Sequence, residues 1–239
     1  MAVILMFTWT ENHGDRKADM TDTFKSAIGV IRDEPPVFCL GIIQSFFEGS
    51  MYTFVLMWTP TLNSAMRADV PDGTIPHGFV FATFMVAIMI GSSVFKLLQR
   101  VSHPESFMRY VLLTAAVCLA VPVFVPQWLG VVYCSFVVFE FCVGIFWPAM
   151  GIMRGKYVPE GSRATTMNLF RIPLNLIVIL VLMQNVSSAF IFTCCVGFLL
   201  CAVLAQFFLY GYTQMNGRLV VPSEQEDEEK RPISDESCA

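Results

Sequence analysis

The sequence predicts an all-α membrane protein of six transmembrane helices, set as two triplets that run in opposite senses. The first observation is composition. Of 239 residues, 55% are hydrophobic and 14% are charged, and the mean hydropathy is +0.62. That balance lies far from a soluble domain. The second is a series of six apolar runs, at 37–62, 77–98, 107–125, 128–153, 164–184 and 188–212. Each approaches the roughly 20 residues that span a bilayer. The third is the placement of Lys and Arg. They gather before the first run (Arg16, Lys17, Lys25, Arg32), between the second and third (Lys96, Arg100, Arg109), between the fourth and fifth (Arg154, Lys156, Arg163) and after the last (Arg218, Lys230, Arg231). The opposite loops hold only Arg67. A positive-inside bias of this kind puts both termini in the cytoplasm.

Residues 1–36 are expected to hold the end of a preceding helix, then a cytoplasmic linker. The opening MAVILMF is too short for a signal-peptide core and lacks a basic start. It reads as the tail of a hydrophobic helix, so the chain is expected to be a C-terminal piece or a truncated product. Residues 19–34 read as an interfacial helix, with Phe24, Ala27, Ile28 and Ile31 on one stripe. Pro35 and Pro36 end it. The transmembrane domain follows at 37–212. Residues 213–239 carry an acidic run without apolar periodicity and are expected to form a disordered cytoplasmic tail.

The first and fourth runs look alike. GIIQSFFEGSMYTFVLMWTP and GVVYCSFVVFEFCVGIFWP each start near a Gly, hold a lone Glu, and end near Trp and Pro. Glu48 lies about 16 Å into the first run from the cytoplasm, and Glu140 about 18 Å into the fourth from outside, at ~1.5 Å per residue. Both carboxylates fall near the midplane from opposite directions, as in the inverted repeats of secondary transporters.

Away from the ends of the runs lie three charged groups: Glu48, Glu140 and Arg171. Each costs about 2.5–3.5 kcal/mol on insertion scales, so each must face a partner or a polar cavity. Gln44, Glu48, Tyr52 and Thr59 follow helical spacing on one face. Asn168, Arg171 and Asn175 do the same in the fifth run, where Pro173 kinks the helix. In the fourth, Tyr133, Glu140, Gly144 and Trp147 share a face, and Gly144 permits close helix approach. This gives Arg171, Asn168, Asn175, Tyr52 and Gln44 as substrate-binding candidates, and Glu48 and Glu140 as coupling or gating groups. The competing structural reading is a buried Glu140–Arg171 pair, or an Arg171 that snorkels to the interface.

Eight cysteines and three histidines show no metal-like spacing. No phosphate-binding loop, dinucleotide fingerprint, nucleophile elbow or zinc-protease motif occurs. No enzyme activity, cofactor, metal or nucleic-acid partner is expected.

GIIQSFFEGSMYTFVLMWTPTL and GIFWPAMGIMRGKYVPEGSRATTMNLFRIPLNL resemble the C-terminal half of the molybdate-anion transporter family of the major facilitator superfamily. The family's intramembrane Glu of its seventh helix matches Glu48, that of its tenth matches Glu140, and the Arg-x-Pro of its eleventh matches Arg171 and Pro173. Family members carry twelve helices; six are expected here, as one 3+3 inverted-repeat half. The superfamily loop motif survives only as a degenerate copy in GSSVFKLLQRVSHPESFMRY.

The resemblance implies uptake of molybdate by alternating access, at the plasma membrane, with an N-terminal six-helix half or a second copy as partner. Arg171 suits paired oxygens of an oxyanion. A dianion entering against 100 mV costs about 4.6 kcal/mol. Co-transported protons carried by Glu48 and Glu140 would cancel that cost. Two alternatives stay open: a major facilitator for another anion or a small polar solute, and a non-transporting truncated membrane protein.

Overall fold

The computed structural model describes residues 20–69, 73–159, 161, 163–183 and 187–229. The described residues form helices and short connections: α1 Met20–Asp33, α2 Pro35–Asp69, α3 His77–Val101, α4 Pro104–Phe124, α5 Leu129–Tyr157, α6 Arg163–Met183 and α7 Ser188–Glu229. MAVILMF lies outside the described residues. Among the described residues, five helices are long and apolar enough to cross a membrane: α2, α3, α4, α5 and the Ser188–Met215 part of α7. The remaining expected run, 164–184, coincides with the 21-residue α6 as far as Met183; Gln184 lies outside the described residues.

α1 and α2 meet at Glu34. Pro35 has no N–H to continue the α1 ladder, and it sits comfortably in the first turn of α2. Ala27 is fully buried, while Phe24 and Ile28 stay exposed, so the stripe of α1 is only partly covered.

α2 outruns its expected end at residue 62 and reaches Asp69. Pro60 removes one backbone donor within it. The Thr61 hydroxyl donates to the Met57 carbonyl at 2.7 Å, and Leu62 and Ala65 continue the buried stripe. Burial carries the helix past the proline. α7 runs on to Glu229, through Pro222 and into the Glu-rich stretch. Gln and Glu are good helix formers, and propagation from an existing helix avoids a new nucleus. Residues 230–239 lie outside the described residues.

The packed pairs are α2 with α5, α6 and α7, α4 with α5 and α7, and α3 with α5; α1 rests on α2 and α6. Exchanging α2, α3, α4 for α5, α6, α7 maps the pairs among these six helices onto themselves. Phenylalanines fill the centre. Phe47 stacks on Phe146 with ring centroids 3.7 Å apart, and Phe54 meets Phe136 and Phe139 at 5.0 and 4.9 Å. Lipid is as apolar as these rings, so close packing and hydrogen bonds must hold the helices together. The Ser50 hydroxyl supplies one such bond, to the Cys195 carbonyl of α7 at 3.2 Å.

α3 buries a single stripe, Val80, Phe84, Ala87, Gly91 and Phe95, and turns the rest outward. Gly91 and Gly144 bring α3 and α5 into backbone contact. A methyl on Gly91 would overlap the Phe141 carbonyl oxygen, and one on Gly144 would overlap that of Ile88.

A polar knot closes the other end of α4. Glu105 is 3% exposed and accepts from Lys156 Nζ at 2.6 Å and Tyr157 Oη at 2.7 Å. Tyr157 Oη lies 3.0 Å from Thr213 Oγ1, and Gln206 Nε2 donates to the Glu105 carbonyl at 3.0 Å. These bonds join α4, α5 and α7. Glu105→Ala strands Tyr157 and Lys156 without their acceptor. It is expected to cost about 2 kcal/mol, read as a lower melting temperature in detergent; an unchanged melt would mean the knot adds nothing.

Candidate functional site

α5 and α6 each pack on α2. Between the C-terminal end of α5 and the N-terminal half of α6 lies a recess of about 530 Å³. Arg154 reaches it from α5, flanked by Gly151 and Gly155 one turn apart. Arg163, Asn168 and Arg171 reach it from α6. On α6 the steps Arg163–Met167–Arg171 and Ala164–Asn168–Arg171 follow helical spacing, so one face of the helix supplies all of them.

The three arginines are held differently. Arg163 folds back on α5: its Nε and Nη2 donate to the Val158 carbonyl at 3.3 and 3.1 Å, and Nη2 to that of Gly155 at 3.4 Å. It thereby neutralises the negative end of the α5 dipole. Arg154 is half-buried and within Coulomb range of Glu48, Arg171 and Arg163. Arg171 and Asn168 are exposed to the recess. Three guanidinium groups on one recess, beside the N-terminal end of α6, give it a positive potential.

Glu48 lies below, in α2. It is 1% exposed and accepts from Gln44 Nε2 at 2.7 Å. Gln44 Oε1 is buried without a hydrogen-bond partner among the described residues. Tyr52 does not join them; its side chain is 45% exposed. Each i+4 step rotates by about 40°, so two steps turn Tyr52 roughly 80° from Gln44.

Glu140 is buried in α5, one turn before the Gly144 contact with α3. It does not line the recess, and among the described residues no ion pair joins it to Arg171. Tyr133, on the same side of α5, bonds Thr83 of α3 at 2.6 Å through its hydroxyl. Trp147 is half-buried and meets the Phe146 ring edge-on, with centroids 5.7 Å apart. Asn175 and Pro173 are exposed on α6 and lie outside the recess lining. Near Pro173, the Ser45 hydroxyl takes the Phe170 carbonyl at 2.9 Å, and the Phe170 ring sits against Gly41. That contact fixes the backbone beside Arg171 against α2.

Arg171 and Asn168 thus come together, as do Gln44 and Glu48. Sequence reading missed Arg154 and Arg163, which it assigned to the positive loop. The available signal was spacing: Arg154 and Gly155 end a helix, and Arg163 begins the face that carries Asn168 and Arg171.

Residues 1–146 match a family model, MFS_5, described as sugar transporters with 12 TM segments. The chain is 28% identical over 234 residues to the molybdate-anion transporter of Xenopus tropicalis, covering 90% of this chain and 48% of that protein. It is 32% identical over 196 residues to the Danio rerio molybdate-anion transporter, covering 73% and 39%. For the Xenopus laevis protein, identity is 27% over 240 residues, covering 92% and 50%. The chain spans about half the length of the Xenopus relatives and less of the Danio rerio protein. No solved structure matches it. On the family model and these relatives, the chain belongs to the molybdate-anion transporter family of the major facilitator superfamily.

Proposed function

We propose that the chain acts in the uptake of molybdate or a similar tetrahedral oxyanion, by alternating access and with proton coupling. The observation that carries this reading is the recess shared by Arg154, Arg163, Arg171 and Asn168. A guanidinium fork matches two oxygens of an oxyanion, and Asn168 adds a neutral donor. The names of the relatives point to the same substrate. The six helices α2 to α7 form one 3+3 inverted-repeat half in this proposal, supported by the exchange of packed pairs between triplets. A second six-helix half, separate or a further copy, completes the path. Both termini face the cytoplasm in this reading, on the strength of the Lys and Arg distribution, and the family resemblance supports a plasma-membrane location.

The family model's description favours a second reading, a sugar-like solute. A neutral solute would bring no counter-charge to Arg171, which is exposed and makes no ion pair among the described residues, so the oxyanion is preferred. The test is radiolabelled molybdate uptake in a transport-deficient cell expressing the chain alone and with a family N-terminal half. Saturable uptake competed by tungstate but not by sugars is expected with both halves present. No uptake, with the protein confirmed at the membrane, would reject the proposal.

Coupling makes a separate prediction. Glu140→Gln keeps the shape of the buried side chain and removes its proton site. Uptake by this variant is expected to lose its acceleration by an inward proton gradient, while binding at equilibrium persists. Gradient-driven uptake equal to wild type would remove Glu140 from the coupling role.

A further inference from the structure

Gly144 has a visible reason to be glycine, the Ile88 carbonyl against it. Gly130, Gly151 and Gly155 of the same helix have none, and of these only Gly151 and Gly155 line the recess. A Cβ built on either meets nothing within 4 Å, and both residues are exposed. Both lie inside the helical stretch Leu129–Tyr157, so no turn requires them. Glycine within a helix is unfavourable against alanine, and neither packing nor backbone conformation offsets that here. What the two share is the recess: they stand one turn apart along its wall, on either side of Arg154.

We infer that Gly151 and Gly155 are specificity determinants that keep the recess wide enough for a large tetrahedral oxyanion to seat between Arg154 and Arg171. The inference rests on the reading of the recess as the oxyanion site. Bare backbone at both positions leaves the Arg154 guanidinium approachable from either side. A methyl at either position projects into the open space that the anion would fill, and touches no protein atom. The Gly151-x-x-x-Gly155 spacing also suits close helix association. Here, though, a second helix laid along these glycines would have to cover Arg154 within a cluster of like charges, so the anion is the better occupant.

The experiment uses the full chain purified in detergent, with molybdate and sulfate binding measured by calorimetry. Sulfate carries the same charge on a smaller tetrahedron. Wild type is expected to bind both and to favour molybdate. Gly151→Ala and Gly155→Ala are expected to shift the molybdate-to-sulfate affinity ratio by roughly tenfold towards sulfate, the scale of one methylene in a fitted site. Their melting temperatures should hold or rise, since alanine is the better helix former. An unchanged ratio in both variants, with binding abolished by Arg171→Gln, would overturn the role of the glycines and leave the recess reading intact. An unchanged ratio with altered oligomeric state would assign the glycines to helix association and overturn the inference. No binding of either anion by the wild-type chain, alone and together with a family N-terminal half, would overturn both.

Discussion

Arg171→Gln is expected to weaken oxyanion binding about 100-fold while the helices stay assembled. A hydrogen bond to a charged partner contributes about 1.5–3 kcal/mol, and a guanidinium presents two in parallel, so a loss near 3 kcal/mol follows. Arg171 is the cleanest of the three arginines to remove. Its side chain is exposed, and it makes no ion pair among the described residues. Arg163 is different, because it caps carbonyls of Gly155 and Val158, and its loss would loosen the end of α5. Arg154 is different again, since its removal takes a nearby positive charge from the buried Glu48. Arg171→Lys retains the charge and gives up the fork, so roughly a tenfold loss is expected. Equilibrium binding of molybdate at fixed ionic strength separates these outcomes. Surface charge is screened beyond about 10 Å at 0.1 M salt, so affinity should also fall as salt rises. Full affinity in Arg171→Gln would transfer the anion contact to Arg154.

The apolar runs were legible because a bilayer demands long uninterrupted hydrophobicity, and every expected run contains helix. Helix ends were less so. The expected ends at 62 and 212 are both overrun, the first because Leu62 and Ala65 are buried and the second through a stretch rich in good helix formers. The candidate site was legible in part. Asn168 and Arg171 share a face by local spacing alone, and Gln44 reaches Glu48 for the same reason. Arg154 and Arg163 were read as topology signals, because the same residue type serves membrane orientation and anion binding. Only the placement of α5 beside α6 separates the two uses. Glu105 was passed over as a loop residue beside Pro104, while its partners Lys156 and Tyr157 lie far along the chain. Sequence alone allows Glu140 and Arg171 to pair, one an acid and one a base. Their helices present them to different neighbours.

The α3–α5 contact gives the largest expected effect on the fold. Gly144→Ala should destabilise the chain by about 3 kcal/mol, at the upper end for overpacking, and Gly144→Val by more. The added methyl meets the Ile88 carbonyl oxygen, with the Ile88 Cα only 3.0 Å away. These are backbone atoms of a regular helix, so no rotamer change relieves the overlap. The helices must separate, and the contacts of Phe84, Ala87 and Phe95 loosen with them. The Thr83–Tyr133 hydrogen bond of 2.6 Å spans the same interface and should weaken too. α5 is the principal partner of α3, and the rest of its hold is aromatic: Phe84 against Phe54 and Trp58 of α2, and Phe95 against Phe107 of α4. Gly91→Ala pushes the same two helices apart through the Phe141 carbonyl. The double variant should therefore cost less than the sum of the singles, since one separation accommodates both methyls. Gly41→Ala supplies the contrast: its methyl would meet the Phe170 ring, a side chain that can turn away. Thermal melting of these five variants in one detergent decides the matter. If Gly144→Ala melts with wild type, α3 and α5 do not approach through these glycines. If additivity holds strictly, the two methyls disturb different contacts, and the reciprocal glycine packing that seats α3 on α5 must be abandoned.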